Sequence, residues 1–459
     1  MEQNRILEGS LYKNILMFFM PIWFGTFFQQ LYNTVDAAIV GNFVGTTALA
    51  AVGGSTSTII NLLVNFFVGI SSGAGVVIAQ YYGSRNVEKT RLSIHTAMAI
   101  SIAGGLILMA IGIPFAPKFL EWMGTPADVL GPASTYIRIY FFGSVFNLVY
   151  NIGSGILRAM GDSKKPLYFL IVASIVNIIL DIVFVIVFNM GVAGVGYATV
   201  AAQIASAVLV VITLRRMPED ISLTTSDIRI DKGMSGEIFK IGIPNGMQSI
   251  AFSISNITIM SSINTFGTET VAAWTAYGKL DAMFWMTVGS FGIATTTFVG
   301  QNFGAKNFDR VKKSVRACNT LSIVASVSLS AILFTCYPFL YRIFTQDATV
   351  IDIGGTMIRV MVPMYFTFVF IENFSGAMRG VGDSIIPTII TIVGICVFRV
   401  IWINFILPLN FTLITAIISY PISWSLTAIT FTAYYLSGIW FKKSIKKRYG
   451  EETLALITK

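Results

Sequence analysis

The chain has 459 residues, of which 55% are hydrophobic and only 12% charged, with 36 Phe, one His and a formal net charge of +9. Ordinary globular chains carry about 25% charged residues, so this balance excludes disordered, collagen-like and nucleic-acid-binding classes and argues against a soluble enzyme. What remains is an all-α polytopic membrane protein, because long apolar runs indicate helices and not a barrel.

The opening segment MEQNRILEGS places charged and polar residues ahead of the first apolar run and does not read as a signal peptide. A spanning helix needs about 20 apolar residues, so the intervals between charges count the spans. Residues 14–84 contain only Asp36 and accommodate two spans; 92–117 give a third and 139–157 a fourth. Residues 166–214, with Asp181 as the sole charge, give a fifth and sixth. Met217–Lys240 then carries eight charges in 24 residues and reads as a soluble linker. Beyond it, 241–268, 282–305, 317–341 and 360–378 give one span each, and 384–441 gives two around Arg399. The expected organisation is twelve transmembrane helices. A six-helix bundle occupies 1–216, a cytoplasmic linker 217–237, a second bundle 238–441 and a basic tail 442–459.

Lys and Arg concentrate on one side of this alternation, including Arg85, Lys89, Arg91, Lys164, Lys165, Lys312, Lys313 and the tail lysines. By the positive-inside bias that side is cytoplasmic, both termini are inside, and the protein resides in the inner (plasma) membrane. The tail charges read as stop-transfer charge first and as a lipid-binding patch second. Cys318, Cys336 and Cys396 show no paired spacing and give neither a metal site nor a disulfide framework. His95 falls near the inner end of the third span and reads as interfacial, not as a proton relay.

The halves repeat each other. Ser154-Gly-Ile-Leu-Arg-Ala-Met-Gly-Asp-Ser163 matches Ser375-Gly-Ala-Met-Arg-Gly-Val-Gly-Asp-Ser384 at an offset of 221, and Pro166 pairs with Pro387. Gln80-Tyr-Tyr-Gly-Ser-Arg-Asn86 matches Gln301-Asn-Phe-Gly-Ala-Lys-Asn307 at the same offset, and Pro21 pairs loosely with Pro244. Six spans per half is even, so the repeats are expected to be parallel, related by a pseudo-two-fold along the membrane normal with a cavity between them. That is the architecture of an alternating-access transporter.

With these residues in view, the chain resembles the multidrug and toxic compound extrusion (MATE) family over nearly its whole length. The likeness rests on Pro21, Gln30, Asn33-Thr-Val-Asp36 and Val40-Gly41, then Ala48-Leu-Ala-Ala-Val-Gly53, and the two turns ending in Asp162 and Asp383. It implies export of lipophilic, often cationic compounds, driven by inward H⁺ or Na⁺.

An ionisable residue inside the membrane is costly and is by default a functional candidate. Four stand out: Asp36, Asp181, Glu372 and Arg399. Gln29, Asn33 and Asp36 recur at helical spacing on one face, and Asn177 lies one turn before Asp181. Thr199 enters the sixth span with Gln203 on its face. At 1.5 Å per residue these groups share a depth of about 8–12 Å below the outer surface. That predicts one polar cluster, joined by Asn147 and Asn151. Two carboxylates in low dielectric resist joint ionisation, which a proton or Na⁺ relieves. The resemblance adds that Asp36, Asn177, Asp181 and Thr199 match the cation site proposed for the DinF-like branch, and that Pro21 matches a proline linked to bending of the first helix. The NorM-like branch uses acids in spans 7 and 10. Here span 7 has none, and Glu372 stands seven residues before Arg379, which departs from that pattern.

A substrate chamber should be apolar and aromatic with few polar groups. Candidates are Gln248, Ser255 and Asn256, the run Met283, Phe284, Trp285 and Met286, then Phe366 and Phe370, with Glu372 either meeting a cationic substrate or pairing with Arg399. Arg399 is expected to pair with Glu372 or Asp281.

The reading is a secondary multidrug antiporter working by alternating access as a monomer. Small lipophilic or cationic molecules and membrane lipid are its partners, and no cofactor beyond the coupling ion is implied. The alternative is a lipid-linked precursor flippase of the same superfamily, which would need a cationic chamber for phosphates. No triad, metal cluster or nucleotide motif points to an enzyme.

Overall fold

The computed structural model describes residues 5–458. Among these the regular structure is helical throughout. In chain order, α1 is Leu11–Ile39, α2 Thr46–Gly53, α3 Ser55–Gly83, α4 Val87–Trp122, α5 Ala127–Phe142, α6 Ser144–Ala159, α7 Lys164–Asp181 and α8 Gly191–Arg215. After the linker come α9 Lys232–Asn264, α10 Thr268–Gly304, α11 Phe308–Arg342, α12 Ala348–Met361 and α13 Tyr365–Gly380. The chain continues through α14 Ile385–Thr391, α15 Phe398–Ile401, α16 Leu413–Ile417, α17 Ser419–Leu436 and α18 Ile439–Thr458.

Ten segments among the described residues are long and apolar enough to cross a membrane. The pair α5 and α6, bent by 49° at Gly143, makes an eleventh. The remaining long helix, α9, carries Lys232, Glu237, Lys240, Asn245, Gln248 and Asn256, which lower its hydropathy. By order these segments correspond to the twelve expected spans, with three starts corrected. The fourth span begins at Ala127, well before 139, because α5 carries Asp128 and Arg138, the charges that cut the apolar interval. The eighth begins at Thr268, before 282, and the tenth at Ala348, before 360, because Glu269, Lys279 and Asp281, and then Asp352 and Arg359, cut the apolar intervals.

The repeat seen in sequence is a repeat of backbone geometry. Gly45 (φ 115°) and Gly267 (φ 98°) precede α2 and α10, and Gly161 (φ 100°) and Gly382 (φ 92°) end the paired Gly-Asp turns. Arg85 (φ 56°) and Lys306 (φ 58°) hold the left-handed conformation. Each is followed by an Asn, Asn86 or Asn307, whose side chain accepts the backbone N–H three residues on and caps the next helix.

The contacts divide the chain into two compact units. One is Met17–Gly246; the other is Met1–Leu16 with Met247–Lys459. Both crossings fall inside helices, in α1 and in α9, and neither falls in the linker. The reason lies in the first turns of α9. Gly69-x-x-x-Gly73 on α3 lies against Gly242-x-x-x-Gly246, so close that a Cβ on Gly73 would stand 2.5 Å from Ile238 O and 2.6 Å from Gly242 N. Tyr81 Oη also donates to both Glu237 oxygens at 2.9 Å. Small residues at four-residue spacing let two backbones approach in this way. In the other unit, Arg310 donates to the carbonyls of Ile6, Glu8 and Gly9, and Asn302 Nδ2 donates to Ile6 O.

The linker is docked on α4. Arg91 pairs with Asp227 at 2.6 Å and holds that carboxyl below its ordinary range. His95 is buried beneath the linker: its Nε2 accepts the Thr224 backbone N–H at 3.0 Å, and its Nδ1 meets Arg91 O at 2.8 Å. With Nε2 accepting, the ring proton resides on Nδ1.

Candidate functional site

In the Met17–Gly246 unit, the last residue of α7 is Asp181, fully buried, and Asp36 on α1 is 7% exposed. Each carboxyl precedes a widened π-helical turn, Val40–Val44 after α1 and Ile182–Val187 after α7, and the two turns pack on one another. Such turns leave a backbone register irregular and recur at functional sites. The Asp36 and Asp181 carboxyls are direct neighbours. No donor reaches Asp36 Oδ1 or either oxygen of Asp181. A buried acceptor without a donor costs about 1–3 kcal/mol, and more when charged. A shared proton or a small cation between the two removes that cost.

Beside the pair lies a cavity of about 40 Å³ walled by Gln29, Tyr32, Asn147, Asn151, Asn177 and Thr199, among others. This is room for water or an ion and not for a drug-sized molecule. Asn177 is 1% exposed, with neither side-chain atom hydrogen-bonded. Thr199 donates to Val195 O, so its oxygen lone pairs stay available. Tyr136 neighbours both Asp36 and Thr199, and Tyr32 neighbours Asp36, tying carboxyls and cavity into one cluster. Asp36, Asp181, Asn177 and Thr199 are thus brought together. Asn33 is exposed and does not line the cavity. Pro21 lies within α1, where it removes a backbone N–H from the helix ladder. The tyrosines were missed. Tyr136 lies on α5 outside the expected fourth span, whereas Tyr140 falls just inside it. Tyr32 was legible as the residue one turn before Asp36.

The unit containing Met247–Lys459 holds a larger pocket, about 620 Å³. Its wall is a stripe along α10, Trp274, Tyr277, Asp281, Trp285 and Val288, at spacings of three and four. Phe252, Asn256 and Met260 face it from α9, Phe368 and Glu372 from α13, and Arg399, Tyr420 and Trp424 close it. Asp281 accepts from Tyr365 Oη, from Tyr277 Oη at 3.5 Å and from Trp285 Nε1 at 2.5 Å. Glu372 pairs with Arg379 at 2.9 Å and not with Arg399. Arg399 stacks 3.9 Å from the Tyr420 ring centre and donates from Nε to Ser423 Oγ at 3.0 Å.

Of the expected chamber residues, Asn256, Trp285 and Glu372 line this pocket. Gln248, Ser255, Met283, Phe284, Met286, Phe366 and Phe370 do not. Successive helical residues turn by about 100°, so a run such as 283–286 cannot share one face; only Trp285 of it does. Phe366 and Phe370 likewise lie off the Phe368–Glu372 face.

The two-fold repetition is matched by one family model. The model described as MatE covers residues 21–183 and again 244–406. The chain belongs to the MatE family. Among MatE relatives, a probable multidrug resistance protein, YoeA of Bacillus subtilis, is 27% identical, over 96% of each chain. The probable multidrug resistance protein NorM of Thermotoga maritima is 24% identical over 95% of this chain and 94% of its own. The multidrug export protein MepA of Staphylococcus aureus is 22% identical over 85% and 86%. A crystal structure of MATE in the bent conformation superposes with a TM-score of 0.89 at 21% identity, covering 97% of this chain and 99% of its own. One in the straight conformation gives 0.87 at 22%, over 97% and 99%. The MatE fold and multi-pass membrane character follow, and the chain is a membrane transporter of that family, not an enzyme.

Proposed function

We propose that the chain is a secondary antiporter that exports aromatic, amine-bearing compounds in exchange for H⁺ or Na⁺ entering at Asp36 and Asp181. The observation that carries this reading is the facing pair of buried carboxyls without donors beside an ion-sized polar cavity. Asn177 Oδ1 and Thr199 Oγ1 are the neutral oxygens that would complete an Na⁺ shell. The aromatic C-terminal pocket, with Asp281 in its wall, takes the substrate. The N-terminal cluster aligns the chain with the DinF-like branch, and the absence of an acid between 241 and 263 sets it apart from the NorM-like pattern. Both termini face the cytoplasm of a plasma membrane.

Coupling requires cation and substrate to favour different states of the protein. Pro21 and Pro244 each lie within a few residues of a point where a helix passes from one contact unit to the other, which suits them to hinge an alternating-access motion. Solved MATE structures described as bent and straight agree with a fold that has more than one conformation.

The test uses inside-out vesicles with a preformed proton gradient read by a quenched acridine dye. Ethidium is added with and without Na⁺, for wild type and Asp36→Asn. Discharge by wild type alone without Na⁺ identifies drug/H⁺ antiport through Asp36. No discharge in either salt, with folded protein present and no Na⁺-driven uptake of ethidium, rejects the antiport reading.

A further inference from the structure

The C-terminal pocket is dipolar, and its positive pole is placed where a cationic guest would sit. Its acids are Asp281 and Glu372. The Glu372 charge is matched by Arg379 at 2.9 Å, both side chains largely buried. The charges left are Asp281, negative, and Arg399, positive. These two feel each other electrostatically, yet no ion pair joins them. Asp281 is held by Tyr277, Tyr365 and Trp285 on one side. Arg399, 2% exposed, is held on the other by Ser423 and by the rings of Tyr420 and Trp424, at 3.9 and 5.6 Å from their centres.

Two consequences follow. Tyr420 and Trp424 are the faces that would attract a lipophilic cation, but a guanidinium already occupies them. A simple monocation entering the pocket therefore meets a fixed like charge in low dielectric, and finds two of the pocket's aromatic faces already taken. Arg399 Nη2 and Trp424 Nε1 are moreover buried donors without an acceptor. An oxygen acceptor supplied by a guest would meet a standing demand once the side chains adjust around it.

Resting on the reading of this pocket as the substrate site, we propose that Arg399 sets its selectivity. The pocket takes amphoteric aromatic compounds, with a cationic amine toward Asp281 and a carboxylate or carbonyl toward Arg399 and Trp424, in preference to monocations of the same shape. Arg399 is a specificity residue that reads the anionic end of the guest.

Rhodamine 110, a xanthylium with a free carboxylate, and rhodamine 123, its methyl ester, share one aromatic core and differ in that end alone. Their binding to the full-length protein in nanodiscs is measured at neutral pH by equilibrium dialysis. Wild type is expected to bind the acid about tenfold more tightly than the ester, equivalent to about 1.4 kcal/mol. Arg399→Gln should reverse the order by freeing Tyr420 and Trp424 for the cation, and Arg399→Lys should keep the wild-type order. Equal binding in wild type, or tighter binding of the ester, overturns the inference while leaving the pocket as a substrate site. An Arg399→Gln protein that binds both dyes in the wild-type order overturns it as well. Failure of both dyes to bind overturns the pocket reading together with it. The wild-type comparison needs no variant, so it decides even where Arg399→Gln folds poorly.

Discussion

Asp36 and Asp181 lie carboxyl to carboxyl between α1 and α7, and no N–H or O–H donor reaches either oxygen of Asp181. A pair of this kind is stable only with something positive between its members, since two like charges in low dielectric repel strongly. Replacing one member by an amide should release the repulsion while removing the ion. Asp36→Asn and Asp181→Asn are each expected to raise thermal stability in the absence of Na⁺ and at alkaline pH, and to abolish ion-coupled export. The double variant should lose no more export than either single one, because both act on one bound ion. Melting curves and dye efflux from the four proteins check this.

The Gly73 contact makes a sharper structural prediction. A Cβ there collides with backbone atoms of Ile238 and Gly242, not with a yielding side chain. Gly73→Leu should cost at least the 1–3 kcal/mol typical of overpacking. Gly75, whose nearest such neighbour lies at 3.8 Å, should accept Ala with little change. Thermal unfolding in detergent separates the two.

The Asp281 cage predicts the effect of removing its acceptor. Asp281→Leu strands the indole N–H of Trp285 and one of the two tyrosine hydroxyls, since Tyr277 and Tyr365 still bond to each other at 2.7 Å, at about 1–3 kcal/mol for each group left unsatisfied. Asp281→Asn keeps one acceptor oxygen and should cost less. Both should weaken binding of amine-bearing ligands, while leaving ion binding at the N-terminal cluster unchanged by calorimetry.

The docked linker predicts a pH-dependent difference. Arg91 lowers the Asp227 carboxyl below its ordinary value of 3.8. A depressed carboxylate stabilises the folded state above its unfolded value and loses that effect as pH falls through the lowered one. Hydrogen exchange over residues 217–231 should therefore be slower in wild type than in Asp227→Asn at neutral pH. The difference should begin to shrink near pH 3.8 and vanish only below the lowered value. Because the pair is solvent-exposed, high salt should shrink the gap as well.

Much of this was legible in the chain. Charge-free intervals located the spans because charges are expelled from hydrocarbon, and depth arithmetic along α1, α7 and α8 brought Asp36, Asn177, Asp181 and Thr199 to one level. The start of the fourth span was hidden because Arg138, on α5, broke the interval while donating from Nε to Ile113 O. Tyr136 went with it. The pocket wall was misread where neighbouring residues were taken together, although the three-and-four spacing of Trp274, Tyr277, Asp281, Trp285 and Val288 was on view. Gly69-x-x-x-Gly73 and Gly242-x-x-x-Gly246 were also visible, but a spacing does not say which helix it will meet. That Glu372 takes Arg379 rather than Arg399 depends on side-chain reach across two turns of one helix, with nothing in the pattern to favour it over a distant partner.

The passage of α1 and α9 from one contact unit to the other changes what the linker is. It looks like a seam between two halves, yet it belongs wholly to one of the units. A protease that nicks it leaves two fragments, and neither contains a whole unit. The first carries the leading turn of α1 that belongs with the C-terminal helices; the second carries the leading turns of α9 that belong with the N-terminal ones. Each fragment is the other's missing piece, so a nicked chain is held together by reciprocal complementation, as an arm-exchanged dimer is.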